Sequence, residues 1–239
     1  MKTVLYPANE RGHANHGWLD SFHSFSFGQY HDPKKLHFGA LRVLNDDTVA
    51  GGGGFGAHPH DNMEIVSIPL EGALSHKDST GNEGIIRKGD VQIMSAGTGL
   101  RHSEYNSSAT ETARFLQIWV FPKLKNIKPV YGQKTFDLKD RKNNWQTVVS
   151  PDSSEQGLNI NQDARFSLVD LEAGKSINYE MKWKNSGLYL FVIEGVVKTD
   201  SQTLSRRDAV GVTDAEKIII EALQNAQLLA IEVPLQFAA

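Results

Sequence analysis

Short runs of β-branched and aromatic residues, each closed by a turn, recur along this chain twice in the same order. Ile65-Val66-Ser67-Ile68-Pro69-Leu70 leads into Glu71-Gly72, and Leu190-Phe191-Val192-Ile193 leads into Glu194-Gly195. Gly89-Asp90-Val91 and Asp208-Ala209-Val210 each open an apolar run from a polar turn. Leu116-Gln117-Ile118-Trp119-Val120-Phe121-Pro122 is echoed by Leu228-Leu229-Ala230-Ile231-Glu232-Val233-Pro234. Runs of this kind fit a pleated, half-buried surface, and the turns between them predict an all-β sandwich or barrel. Their recurrence predicts two copies of one unit. The second copy has the shorter loops, since Asp90 lies 18 residues after Gly72 and Asp208 only 13 after Gly195. Lys123 to Asn144 is polar and Lys-rich, with Pro129 and Gly132, the composition of a crossing between domains. The expected division is an N-terminal unit over 1–135 and a C-terminal unit over 136–239. Asp214 to Val233 is rich in helix formers, but the recurrence makes it two strands turning near Gln224-Asn225.

Of the 239 residues, 25 are Lys or Arg and 28 Asp or Glu, a net charge of -3, and no five like charges stand together. That argues against nucleic acid or an anionic membrane as partner. No apolar stretch approaches the ~18 residues of a membrane span. Tyr6, Pro7, Asn9, Glu10 and Arg11 fall where a signal peptide needs an unbroken apolar region, so a cytoplasmic location is expected. With no Cys, thiolate nucleophiles and Cys-based zinc or iron–sulfur sites are excluded, and any metal is expected to rest on His and carboxylates.

All nine His lie between His13 and His102, which confines imidazole chemistry to the first half. His31, His37 and His76 stand alone and read as ordinary surface or core residues. His58-Pro59-His60 is different. Side chains of a strand alternate, so His58 and His60 share a face, as does Glu64 if the strand continues. Pro59 favours a strand start or an edge. In the second stretch, Gly97-Thr98-Gly99-Leu100-Arg101-His102-Ser103-Glu104, the same period places His102 and Glu104 together. Three imidazoles and one carboxylate from two strands make a compact divalent-metal site that leaves about two positions of an octahedral ion open. Glu64 competes with Glu104 as the carboxylate. The plainer alternative, a polar loop and an exposed pair, does not account for two pairs of matched spacing, each preceded by a glycine-rich turn. Gly51 to Gly56 lacks the Lys-Ser/Thr and the following helix of a phosphate loop, so its glycines are read as letting the backbone bend beside the site.

At these residues the chain resembles the cupins. Gly52, His58, His60 and Glu64 fit the first cupin motif, with Gly72 one residue late. Gly89, Gly99, His102 and Asn106 fit the second, with Gly97 in place of Pro and a loop two residues longer. Ala14-Asn15-His16-Gly17-Trp18-Leu19-Asp20-Ser21-Phe22-His23, His58-Pro59-His60 and Met94-Ser95-Ala96-Gly97-Thr98-Gly99 resemble, more narrowly, the pirin family, bicupins that include bacterial quercetin 2,3-dioxygenases. The resemblance is strong over Asn9 to Pro122 and thin beyond. It implies two tandem jelly-roll barrels and one divalent transition metal held by His58, His60, His102 and Glu104. Fe(II) is the first choice, with Zn, Cu, Mn, Co or Ni as alternatives. It also implies cleavage of a flavonol-like aromatic substrate with O₂, with Glu104 as the base; a regulatory or binding role without turnover is the rival. Trp18, Phe22, Phe25 and Phe27 are the expected walls of a flat pocket. Counting back from Gly195 as His58 and His60 lie back from Gly72 gives Met181 and Trp183, so the second unit is expected to hold no metal. A monomer is expected.

Overall fold

The computed structural model describes residues 1–200 and 202–237. The all-β expectation holds: the strands form four sheets, and the helical elements among the described residues are two 3-10 turns, Ala8–Glu10 and Leu138–Arg141. Among the described residues no helix is long and apolar enough to cross a membrane.

In the first half a seven-stranded sheet runs in the order Val130–Thr135, Asp90–Ser95, Glu64–Glu71, Ala113–Val120, Leu41–Val49, Leu19–His23, Gly12–Asn15. Opposite it lies a four-stranded sheet in the order Gly54–His60, Leu100–Asn106, Ala73–Asp78, Glu83–Arg87. The second half repeats the plan with six and four strands. Lys217–Ala222 and Ala226–Pro234 are both strands, so the repeat overrode helix propensity in the Asp214 to Val233 segment. Lys2–Tyr6, expected in the first unit, instead pairs with Ala209–Thr213 at the edge of the six-stranded sheet. The chain thus begins in the second unit's sheet before building the first.

The two large sheets share one apolar core. Leu44, Val66, Ile68, Leu116 and Ile118 from the first half cluster with Phe166, Leu168, Phe191, Leu229 and Ile231 from the second. The first half's large sheet is buried on both faces, which is why Ile65 to Leu70 reads as a nearly continuous apolar run. The two barrel interiors differ. The second is filled by aliphatic side chains such as Leu188, Leu190, Val212, Ile218 and Ile220, whereas in the first, polar residues separate two smaller apolar clusters.

Equivalent glycines fix how the halves correspond. Gly72 and Gly195 both have positive φ, 71° and 89°. A Cβ there would lie 3.0 Å and 2.8 Å from the Cα of Ala113 and Ala226 respectively.

Candidate metal centre

His58 and His60 project from Gly54–His60, an edge strand of its sheet, where the missing N–H of Pro59 is tolerated. The neighbouring strand supplies His102, whose Cα partner is His58. The ring centroids of the three imidazoles lie 4.5–4.8 Å apart, and one nitrogen from each falls within 4.8 Å of the others. His60 Nε2 and His102 Nε2 are 3.0 Å apart. Two nitrogens about 2.1 Å from one ion and at right angles to each other are separated by about 3.0 Å, so this pair has the spacing of ligands sharing a metal. His58 Nδ1 lies 2.8 Å from the carbonyl of Gly56. With Nδ1–H donating there, its Nε2 keeps a free lone pair. Burial, reinforced by the neighbouring imidazoles, holds His60 down to about 4 and His102 to about 3. Both are therefore neutral at neutral pH, the form that binds a metal.

The alternation read from the sequence carries through to Glu104: His102 and Glu104 are both buried, while Arg101 and Tyr105 are exposed. Between them the pairing slips, His102 matching His58 and Glu104 matching Phe55. Glu104 is 2% exposed. Its Oε2 accepts from Gln117 Nε2 at 2.8 Å and its Oε1 from Ser67 Oγ at 3.3 Å. The carboxylate is thus held by the opposite sheet, outside the close imidazole cluster but on the wall of the cavity that His58 and His60 also line. Burial raises it to about 7.

Glu64 lies elsewhere. The strand stops at His60, Asn62 turns the chain with φ 44°, and Glu64 begins a new strand in the other sheet. Its Oε2 accepts from Ser95 Oγ at 2.6 Å and from the Asn161 backbone N–H at 3.1 Å. The condition that placed it beside the imidazoles, a continuing strand, is not met.

The cavity measures about 730 Å³. Its aromatic walls are Phe27, Tyr30, Phe55 and Trp119, and Trp119 meets His60 edge-on at 4.9 Å. Of the four aromatics expected, only Phe27 lines it. Phe22 alternates with inward-facing Ser21 and His23 and so turns outward, stacking on His13 at 4.4 Å. Phe25 belongs to the core between the halves, and Trp18 packs on the far side of Phe55.

Sequence reasoning missed a polar row across the inner face of the large sheet. Gln92, Ser67, Gln117, Asn45 and His23 are successive cross-strand partners. Ser67 Oγ also lies 3.0 Å from Gln117 Oε1, and His23 Nδ1 meets Asn45 Oδ1 at 2.9 Å. Beside the row lies Asp47, which accepts from the Ser21 hydroxyl. Burial, with Asp46 and Glu104 nearby, raises Asp47 to about 7. The available signal was a lone polar residue inside an apolar run at Ser67, Gln92 and Gln117, whereas Asn45 and His23 lie in polar stretches.

In the second barrel the strand pairings revise the counterparts. Ile218 pairs with Tyr179 as His102 pairs with His58, and the Met181 N–H bonds the Glu216 carbonyl where His60 pairs with Leu100. Tyr179, Met181, Ile218 and Ile220 thus correspond to His58, His60, His102 and Glu104. Trp183 falls outside because the turn before the next strand is two residues longer than in the first half, as Glu64 matches Gly187. Isoleucine offers no donor atom.

A family model described as Pirin matches residues 6–120, and one described as Quercetinase C-terminal cupin domain matches 147–233. The quercetin 2,3-dioxygenase of Escherichia coli (strain K12) is 43% identical over 234 residues, covering 96% of this chain and 98% of its own length. A pirin-like protein of Caulobacter vibrioides is 42% identical over 227 residues, covering 95% and 97%. The crystal structure of a bacterial pirin from Escherichia coli in complex with nickel(II) matches with a TM-score of 0.92 at 40% identity, over 98% of this chain and 99% of that one.

Proposed function

The chain belongs to the pirin family of two-cupin proteins, and we propose that within it the protein is a metal-dependent dioxygenase cleaving flavonols such as quercetin with O₂. The observation that carries this reading is the convergence of His58, His60 and His102 beside a cavity of about 730 Å³ that His58 and His60 line together with the buried carboxylate of Glu104. We take these four residues as the ligand set and Fe(II) as the working ion. A divalent ion bound there supplies Lewis-acid activation of the substrate's 3-hydroxyl.

The chain's own residues do the rest. Glu104 accepts the 3-hydroxyl proton, since a buried carboxylate beside a substrate hydroxyl is placed to act as a general base. Gln117 and Ser67 fix the carboxylate's orientation. Phe27, Phe55 and Trp119 flank a flat ring system and exclude water from it. Stripping metal with a chelator and then restoring it tests this. Quercetin consumption should vanish and return; consumption indifferent to metal would refute the proposal, and metal-dependent quercetin binding without consumption would point to a regulatory role.

A further inference from the structure

We propose that Asp47 reads the substrate's hydroxyl pattern, its carboxylate accepting a hydrogen bond from a phenolic hydroxyl of the flavonol other than the metal-held 3-hydroxyl. The inference rests on the flavonol reading above. Asp47 sits in the Leu41–Val49 strand, within the seven-stranded sheet, between Phe115 on one neighbour and Ser21 on the other. It is 3% exposed and lines the cavity. The Ser21 hydroxyl donates to Oδ1, and among the described residues no protein donor reaches Oδ2. A carboxylate taken out of water with a single hydroxyl partner is costly to the fold.

The fold does not ask for that carboxylate. Asp47 pairs with Phe115, two residues beyond Ala113, and Val169 pairs with Leu228, two residues beyond Ala226. Val169 therefore holds the equivalent place in the second barrel, 1% exposed within its apolar core. On Asp47's own strand, Val43 and Val49 share its face and are fully buried apolar residues. An architecture that accepts valine at this position, yet carries a half-satisfied carboxylate where the cavity opens, is built to receive a donor. Phenolic hydroxyls are the donors a flavonol brings.

Anaerobic titration of the nickel(II)-loaded full chain with quercetin and with 3-hydroxyflavone tests this. The second ligand keeps the 3-hydroxyl and 4-keto group and lacks the other hydroxyls. The unsubstituted protein should prefer quercetin. Asp47→Val, which removes the acceptor, should shrink that preference by about 10-fold or more, the worth of one hydrogen bond to a charged group, and Asp47→Asn, which loses the charge but keeps an amide oxygen, should shrink it by a smaller factor. Affinity for 3-hydroxyflavone and nickel content should stay within about twofold. Asp47→Val should melt no lower than the unsubstituted chain. A preference unchanged by Asp47→Val, or equal weakening of both ligands, would overturn the inference, as would loss of the fold in both variants. If the nickel-loaded, unsubstituted protein binds neither flavonol, the flavonol reading itself fails and takes this inference with it.

Discussion

Two glutamates differ in what holds them. Glu104 is suspended between Ser67 and Gln117 at the cavity wall, while Glu64 is tied to Ser95 and Asn161. Glu104→Gln keeps the shape and loses the proton acceptor, so turnover should fall about 10²-fold or more, the usual contribution of a general base. Glu64→Gln leaves an oxygen for both donors and should change metal content and turnover little. A titration curve separates the two further. A ligand carboxylate must be deprotonated to bind a metal, and Glu104 is raised to about 7 whereas His60 and His102 are lowered to about 4 and 3. Metal affinity should therefore fall as pH drops below about 7, and Glu104→Gln should flatten that fall between pH 5 and 7. A Co(II) titration at several pH values checks it, and an unchanged slope in the variant would remove Glu104 from the ligand set.

At the scale of strands and turns, period-two alternation was legible wherever a strand ran uninterrupted, which is why His58 with His60 and His102 with Glu104 came out on shared faces. It misplaced Glu64 because Asp61-Asn62 turns the chain, a dipeptide whose preference for turns and left-handed backbone was available to be read. Asn45, Asp47, Ser67 and Gln117 stayed hidden for another reason. A polar residue in a strand, lone as at Ser67 and Gln117 or within the run Asn45-Asp46-Asp47-Thr48, has no meaning until one knows which sheets face each other. Counting back from Gly195 slipped by two residues because loop length between strands is free to vary while strand register is not. The turn glycines are the firm markers. Gly72→Ala would place a side chain at positive φ and 2.8 Å from the Thr112 carbonyl oxygen. It should destabilise the protein by about 1–3 kcal/mol in chemical denaturation; an unchanged midpoint would contradict the strand contact described there.

Across the whole molecule, the halves are joined by their shared core, by Lys2–Tyr6 pairing into the second sheet, and by a buried ion cluster. Asp46 Oδ2 lies 2.8 Å from Arg207 Nε as an ion pair and accepts from Arg11 Nη1 at 3.3 Å, and the Arg207 side chain is only 4% exposed. Asp46→Ala would leave that guanidinium without its nearest carboxylate and should cost about 3 kcal/mol, since breaking a buried pair strands a charge. Because the core is common to both halves, thermal unfolding should be a single calorimetric transition that added metal moves upward as a whole. Two separable transitions, with metal shifting only the first barrel, would show that the halves are energetically independent.

Gas exchange is the most direct test of whether the first barrel is a flavonol dioxygenase. Metal-loaded protein mixed with quercetin in a sealed cell should consume one O₂ and release one carbon monoxide for each flavonol lost, and His102→Ala should abolish both. Quercetin bound by the loaded protein with no O₂ uptake and no carbon monoxide would contradict the assignment.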